Sequence, residues 1–165
     1  MWISLRAALG LLGVVLVHLV GSPVAAQEPF GDPTRLEGSA PLAVRAYVDW
    51  DELITETAGG ATEPQFHDAV AQTFEQALSD FGVPLDSEAE RFLLCRVETV
   101  YDSGMITFAA RIELHEPFGA DGATAITWHQ TWIGTTPVQD MHRLYSIGEQ
   151  CAADFVEAWE AANGR

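Results

Sequence analysis

Three stretches of alternating residues follow one another in the second half of the chain with almost nothing between them, and they limit the fold more than any other feature. Phe92 to Tyr101 sets Leu93, Cys95, Val97 and Thr99 on one side and Arg96 and Glu98 on the other. Met105 to His115 sets Ile106, Phe108, Ala110, Ile112 and Leu114 against Thr107, Arg111, Glu113 and His115. Thr124 to Ile133 is rich in β-branched and aromatic residues. A period of two is that of a half-buried strand. Asp102-Ser103-Gly104 and the segment from Pro117 to Gly122 have turn composition. Connections this short join neighbours, so the three strands are expected as an antiparallel meander.

A fourth strand is expected ahead of them. From Leu42 to Trp50, Leu42, Val44, Ala46, Val48 and Trp50 share one face, with Arg45, Tyr47 and Asp49 on the other. A loop at Ala58-Gly59-Gly60-Ala61 separates it from a helix. Thr62 caps that helix and Gln65, three residues on, completes a capping box, with Pro64 in the first turn where proline is tolerated. Phe66, Val70, Phe74, Leu78 and Phe81 form its apolar stripe, and Gly82 followed by Val83 reads as a glycine C-cap with its hydrophobic contact. After a break at Gly134 to Pro137, a second helix is expected from Val138 to Ala162. Its stripe is Met141, Leu144, Gly148, Cys151, Phe155, Ala158 and Ala162. The order β-α-β-β-β-α predicts an α+β domain in two layers, a four-stranded, largely antiparallel sheet with both helices on one face. Whether the first strand lies at an edge or inside is left open.

The N-terminus carries a different kind of signal. Arg6 precedes an apolar run from Ala7 to Val20, and Gly-Ser-Pro-Val-Ala-Ala leads to Gln27. This is the charged, apolar and small-residue order of a cleavable export signal, with cleavage after Ala26. The run of 14 residues is shorter than the roughly 20 a spanning helix needs, so no transmembrane span is expected in the mature chain. Residues 27–40, with two prolines, two glycines and no periodicity, read as a flexible leader, and residues 41–165 as one domain. Beyond residue 26 the chain has seven arginines, no lysine and all 24 carboxylates, a formal charge of −17. Such a field repels phosphate backbones, which argues against nucleic acid as a partner. The expected location is the periplasm or the exterior.

In an exported chain two cysteines are a candidate pair. Cys95 lies on the inward face of its strand and Cys151 on the inward stripe of the second helix, so they are either bridged or separately buried thiols. A bridge would close 57 residues and stabilise the fold by about 4 kcal/mol on chain entropy. The histidines beyond the signal, His67, His115, His129 and His142, show no metal-ligand spacing; His67 falls on the solvent side of its helix and His142 in the first turns of the second, and they read as solvated surface residues. Asp49, Asp51 and Glu52 around Trp50 are a carboxylate cluster of a kind that a chain this acidic produces by chance. No GxSxG elbow, phosphate loop or CxxC motif occurs. Neither a catalytic residue nor a metal or cofactor is expected.

One pattern remains. Arg45, Arg96 and Arg111 all fall on outward faces of strands, with Tyr47, Glu98, Glu113 and His129. With both helices on the other side, these residues form an open sheet face, which is either cross-strand salt pairing that keeps the face soluble or a recognition surface. Trp128 and Trp132 share a face of the last strand, inward against the helices or outward as an aromatic patch. The element order is similar to that of small periplasmic domains that serve as accessory subunits of envelope transport and assembly systems. The expectation is a non-catalytic interaction domain whose partner is another envelope protein, binding by its open face or by a strand edge. The alternatives are a small-ligand carrier with an apolar pocket lined by Phe66, Phe74, Trp128 and Phe155, and a secreted hydrolase whose site carries no recognised motif.

Overall fold

The computed structural model describes residues 25–26, 29–38, 40–57, 62–119 and 122–165. The expected export signal up to Val24, the loop at 58–61 and Asp121 of the second turn lie outside the described residues. In chain order the strands are β1 (Ala25–Ala26), β2 (Phe30–Gly31), β3 (Ala43–Asp49), β4 (Phe92–Asp102), β5 (Met105–Phe118) and β6 (Ala123–Pro137), and the α-helices are α1 (Glu52–Thr57), α2 (Glu63–Asp80) and α3 (Ile147–Asn163). The class is α+β. The sheet is mixed, in the order β1-β6-β5-β4-β3, with β2 also paired to β6.

The meander forms as the short connections require. β4 and β5 pair antiparallel from Phe92↔His115 to Asp102↔Met105, and β5 and β6 from Met105↔Pro137 onward. A bulge between Leu114 and His115 shifts the register. β3 takes the outer side of β4 and runs parallel to it, with Ala46 opposite Cys95. A strand followed by a helical crossover returns parallel, which settles the position that alternation alone left open.

α2 is built as its sequence indicates, except that Phe81, the last residue of the expected stripe, is the C-cap and is 53% exposed. Gln65 Oε1 accepts from Thr62 N at 3.2 Å. At the other end Gly82, at φ +74°, takes the left-handed conformation that lets its own N–H reach Ser79 O and Val83 N reach Leu78 O, at 2.9 and 3.0 Å. Phe66, Val70, Phe74 and Leu78 are buried against the inner faces of the strands, and α3 adds Cys151, Phe155, Val156 and Trp159. Cys95 and Cys151 are joined in a disulfide that ties β4 to α3. Trp128 and Trp132 point inward, and Trp128 meets Phe155 edge-on with ring centroids 6.1 Å apart.

Four expectations need correction. The sheet has five strand positions rather than four, because β1 and β2 occupy the outer side of β6. Part of the expected flexible leader is packed. Asp32 caps a 3-10 turn at Pro33–Leu36 by accepting from Thr34 N at 3.0 Å, and Leu36 is only 3% exposed. Trp159 Nε1 donates to Gly38 O at 3.1 Å and Asn163 Nδ2 to Leu36 O at 3.0 Å, fastening the segment to the end of α3. The break expected at Gly134 is instead continuous strand, since Gly134 lies opposite Phe108 and leaves the space that the Phe108 ring fills. Finally, Val138–Ser146 is 3-10 helix with Asp140 at non-helical angles, so the α-helix starts only at Ile147. The third α-helix, α1, is a single short turn of chain after β3, where Asp51 Oδ1 accepts from Leu53 N and Asp51 Oδ2 from Tyr101 N.

Candidate interaction face

Both long helices cover the face of the sheet that carries Leu93, Cys95, Val97, Ile106, Ile112 and Leu114. The opposite face is uncovered by any described element. The strand registers arrange it in rows across the sheet. One row runs Tyr47, Arg96, Arg111, Thr131; the next runs Arg45, Leu94, Glu113, His129, Phe30; a third runs Phe92, His115, Ile126. The expected residues Arg45, Tyr47, Arg96 and Arg111 therefore share this face, and Arg96 and Arg111 are direct cross-strand partners.

Two like charges opposite one another repel, and the face resolves this by giving each guanidinium its own support. Arg96 lies over the Tyr47 ring with its guanidinium carbon 4.5 Å from the centroid, and reaches Glu98 at 3.6 Å. Arg111 turns the other way, donating from Nε to Thr131 Oγ1 at 3.2 Å and from Nη1 to Glu113 Oε1 at 3.3 Å. Glu113 is the centre of the face and only 2% exposed. Its second oxygen meets His115 Nε2 at 2.8 Å; a carboxylate only accepts, so Nε2 carries the ring proton there. His115 stacks on Phe92 at 4.4 Å and 11°. Arg45 lies over the same Phe92 ring at 3.8 Å, and among the described residues it has no carboxylate within ion-pair distance. The result is a connected run, Arg45–Phe92–His115–Glu113–Arg111–Thr131, across three strands and onto a fourth.

Around this run large apolar side chains stay in solvent. Phe30 is 71% exposed beside His129, with ring centroids 5.2 Å apart, and Val100, Ile126, Ile133 and Met105 are also exposed on this side. The sequence reading placed the arginines, Tyr47, Glu98, Glu113 and His129 here but did not see Phe92 and His115 as their support. The register that stacks them is readable only once the β4–β5 turn is fixed. It missed Phe30 altogether, because the leader was read as unattached.

The other candidates fall elsewhere. Phe66, Phe74, Trp128 and Phe155 are packed in the core, and the described cavities have other linings. One of about 380 Å³ lies between β6 and α3, lined by Phe108, Gln130, Trp132, Arg143, Ile147 and Asp154 among others. Burial raises the Asp154 carboxyl above its ordinary pKa, opposed by a hydrogen bond from Gln150. His67 lies at the β3 edge, its Nε2 3.3 Å from Ala46 O. Asp51, from the carboxylate cluster near Trp50, is used in the hydrogen bonds that hold α1. Among the described residues no group of three or more His, Cys, Asp or Glu side chains is placed to hold a metal ion, and no helix is long and apolar enough to cross a membrane.

No protein family matches the sequence, and no curated protein does. Among solved structures, the chain is similar to a PelC dodecamer from Paraburkholderia phytofirmans, with 14% identity over 82% of this chain and 96% of that one, at a TM-score of 0.50. A single-substitution variant of that dodecamer aligns at 13% identity over 80% and 97% of the two chains, at a TM-score of 0.48. At this identity the likeness is one of fold.

Proposed function

We propose that this chain is an exported, non-catalytic interaction domain that binds another envelope protein through its open sheet face. The observation that carries the reading is the face itself, with arginines clamped on aromatic rings and exposed apolar side chains around them on a rigid sheet. Tyrosine, arginine and large aromatic residues supply most binding energy in protein interfaces. Side chains already held in stacks lose little freedom on binding, which lowers the cost of association. Strands 4.8 Å apart and about ten residues long give this face a projected area on the order of 600 Å². A standard interface buries roughly 800 Å² on each partner, so the face with its rim is of the right size.

Export is supported by the N-terminal charge and hydropathy pattern and by the disulfide, which persists in oxidising compartments. The non-catalytic reading is supported by what surrounds the polar groups. Glu113 and His115 are fixed by each other and by neighbouring side chains, and among the described residues no hydroxyl or thiol is hydrogen-bonded to His115. The solved structure of similar fold is a dodecamer, which agrees with a domain made for assembly.

The test is affinity co-purification from the native envelope after mild in-cell crosslinking, comparing wild type with Arg96→Ala and Arg111→Ala. The reading expects a specific envelope protein to be retained by wild type and lost from both variants while their melting temperatures stay within a few degrees. Retention unchanged by either substitution would refute it.

A further inference from the structure

The cavity of about 380 Å³ between β6 and α3 gathers polar groups that the fold leaves unused. Among the described residues, the Gln130 amide makes no hydrogen bond, although Gln130 lies on the covered side of β6 between Trp128 and Trp132. Trp132 is only 4% exposed, and its indole N–H has no described partner either; a buried indole N–H usually finds one. Of the seven arginines beyond the expected signal, Arg35, Arg91, Arg96 and Arg111 each meet a carboxylate, and Arg45 and Arg165 each lie over an aromatic ring. Arg143 alone has neither among the described residues, in a chain with 24 carboxylates. Asp154 accepts from Gln150 Nε2 through Oδ1 at 2.8 Å, and its Oδ2 has no described partner. Burial holds the Asp154 carboxyl above its ordinary pKa, a cost that a cation beside it would remove.

The spacing of these groups defines what they can hold. Arg143 and Asp154 line the same cavity yet form no ion pair. From Ile147 to Asp154 the helix rises about 10 Å, and Arg143 lies a further 3-10 turn back. The unpaired positive and negative charges therefore stand toward opposite ends of the cavity. The guanidinium fork matches a carboxylate, and the Asp154 oxygen matches an ammonium. Between them, Gln130 offers one donor and one acceptor group, the complement of a peptide unit, and Trp132 offers a donor to a carbonyl. Phe108 and Ile147 supply an apolar wall for a side chain. An extended peptide advances about 3.4 Å per residue, so three residues span roughly 10 Å. The volume is that of a small-ligand site, for which about 300–1,000 Å³ is usual.

We infer that this cavity is a binding site for a short peptide with both termini free, its carboxylate at Arg143, its ammonium at Asp154 and its middle peptide unit at Gln130. The site lies on the helix-covered side of the sheet and goes beyond the reading of the open face, with which it shares no residue. A single amino acid carries its two charges too close together to reach both ends.

The test is isothermal titration of the protein, purified from its native host, with the tripeptide Ala-Leu-Ala, its C-terminal amide, its N-acetyl form and free leucine. Wild type is expected to bind the free tripeptide, and each capped form and leucine to bind on the order of tenfold more weakly or worse, the worth of one charge-assisted hydrogen bond. Arg143→Ala should weaken the free tripeptide by a similar factor without weakening the amide further, and Asp154→Asn should do the same with respect to the N-acetyl form. No binding of Ala-Leu-Ala at millimolar concentration would overturn the inference, as would capped forms or leucine that bind as well as the tripeptide, or folded variants that bind unchanged. If circular dichroism shows a variant to be unfolded, the capped peptides on wild type decide alone. Arg96→Ala and Arg111→Ala should bind the tripeptide as wild type does; loss of binding there would move the site to the open face and overturn the inference. Capture of the envelope protein by a chain that binds no peptide would leave the interaction reading standing and remove only this one.

Discussion

Replacing both Cys95 and Cys151 with alanine should be among the most damaging changes this chain can take without altering its exposed faces. The bond joins residues 56 apart in sequence, on β4 and α3, and both are fully buried. Closing a loop of that size removes roughly 14 cal/mol/K from the unfolded chain, or about 4 kcal/mol at room temperature. Truncating two buried sulfurs adds about 1 kcal/mol through lost contacts and small voids. For a domain of this size each kcal/mol moves the melting temperature by about 3–5 °C. The double variant should therefore melt about 15–25 °C below wild type when followed by circular dichroism at 222 nm in the absence of reductant. Strong reductant should lower the wild-type midpoint toward that of the variant and leave the variant unmoved. A drop of only a few degrees would refute the reasoning, because it would mean that the unfolded chain already holds β4 and α3 together.

Other perturbations test separate parts of the fold. Gly148→Ala would usually gain about 0.5–1 kcal/mol in a helix, but here the new Cβ meets Thr73 Oγ1, Val70 O and Phe74 N. Two of these are α2 backbone, so overpacking of about 1–3 kcal/mol should win, and urea unfolding should show a net loss. Leu36→Ala should cost about 2–4 kcal/mol by the same assay because Leu36 is buried, whereas a leader detached from the domain would make it neutral. For Asp154, whose pKa is raised by burial, folding is favoured by the protonated form; that contribution is fully present below the ordinary carboxylate pKa and is lost as pH rises through the raised folded value. Asp154→Asn should accordingly raise the melting temperature at pH 7, by on the order of 1–3 °C, and the gain should vanish toward pH 3.

Much of the fold could be read from local pattern. β4 and β5 fall within a few residues of their alternation, and α2 within one of its caps, because period and capping act over a few neighbours. The sequence also placed Cys95 and Cys151 on facing surfaces, though not whether they were joined, since that depends on the height of α3 over β4. What escaped was long-range. Nothing local marks Phe30 as a strand residue; it becomes one because the β6 edge is there to receive it. Leu36 lies in a stretch of prolines and glycines, yet Asp32-Pro33-Thr34 was a usable sign of a capped turn. Gly134 was read as a break because the ring of Phe108 above it is 26 positions away. At the candidate face the charged residues were foreseen from their parity, while the Phe92–His115 stack needed the register across β4 and β5.

The most direct test of the open face is site-specific photocrosslinking in the living envelope. A photoreactive residue replaces Tyr47 or Ile126 on the open face, or Glu75 or Glu157 on the helices, one at a time. Binding through the open face predicts a discrete heterologous adduct from Tyr47 and Ile126 and none from Glu75 or Glu157. Adducts from the helix positions alone, or none from the open face in a folded, exported protein, would contradict it.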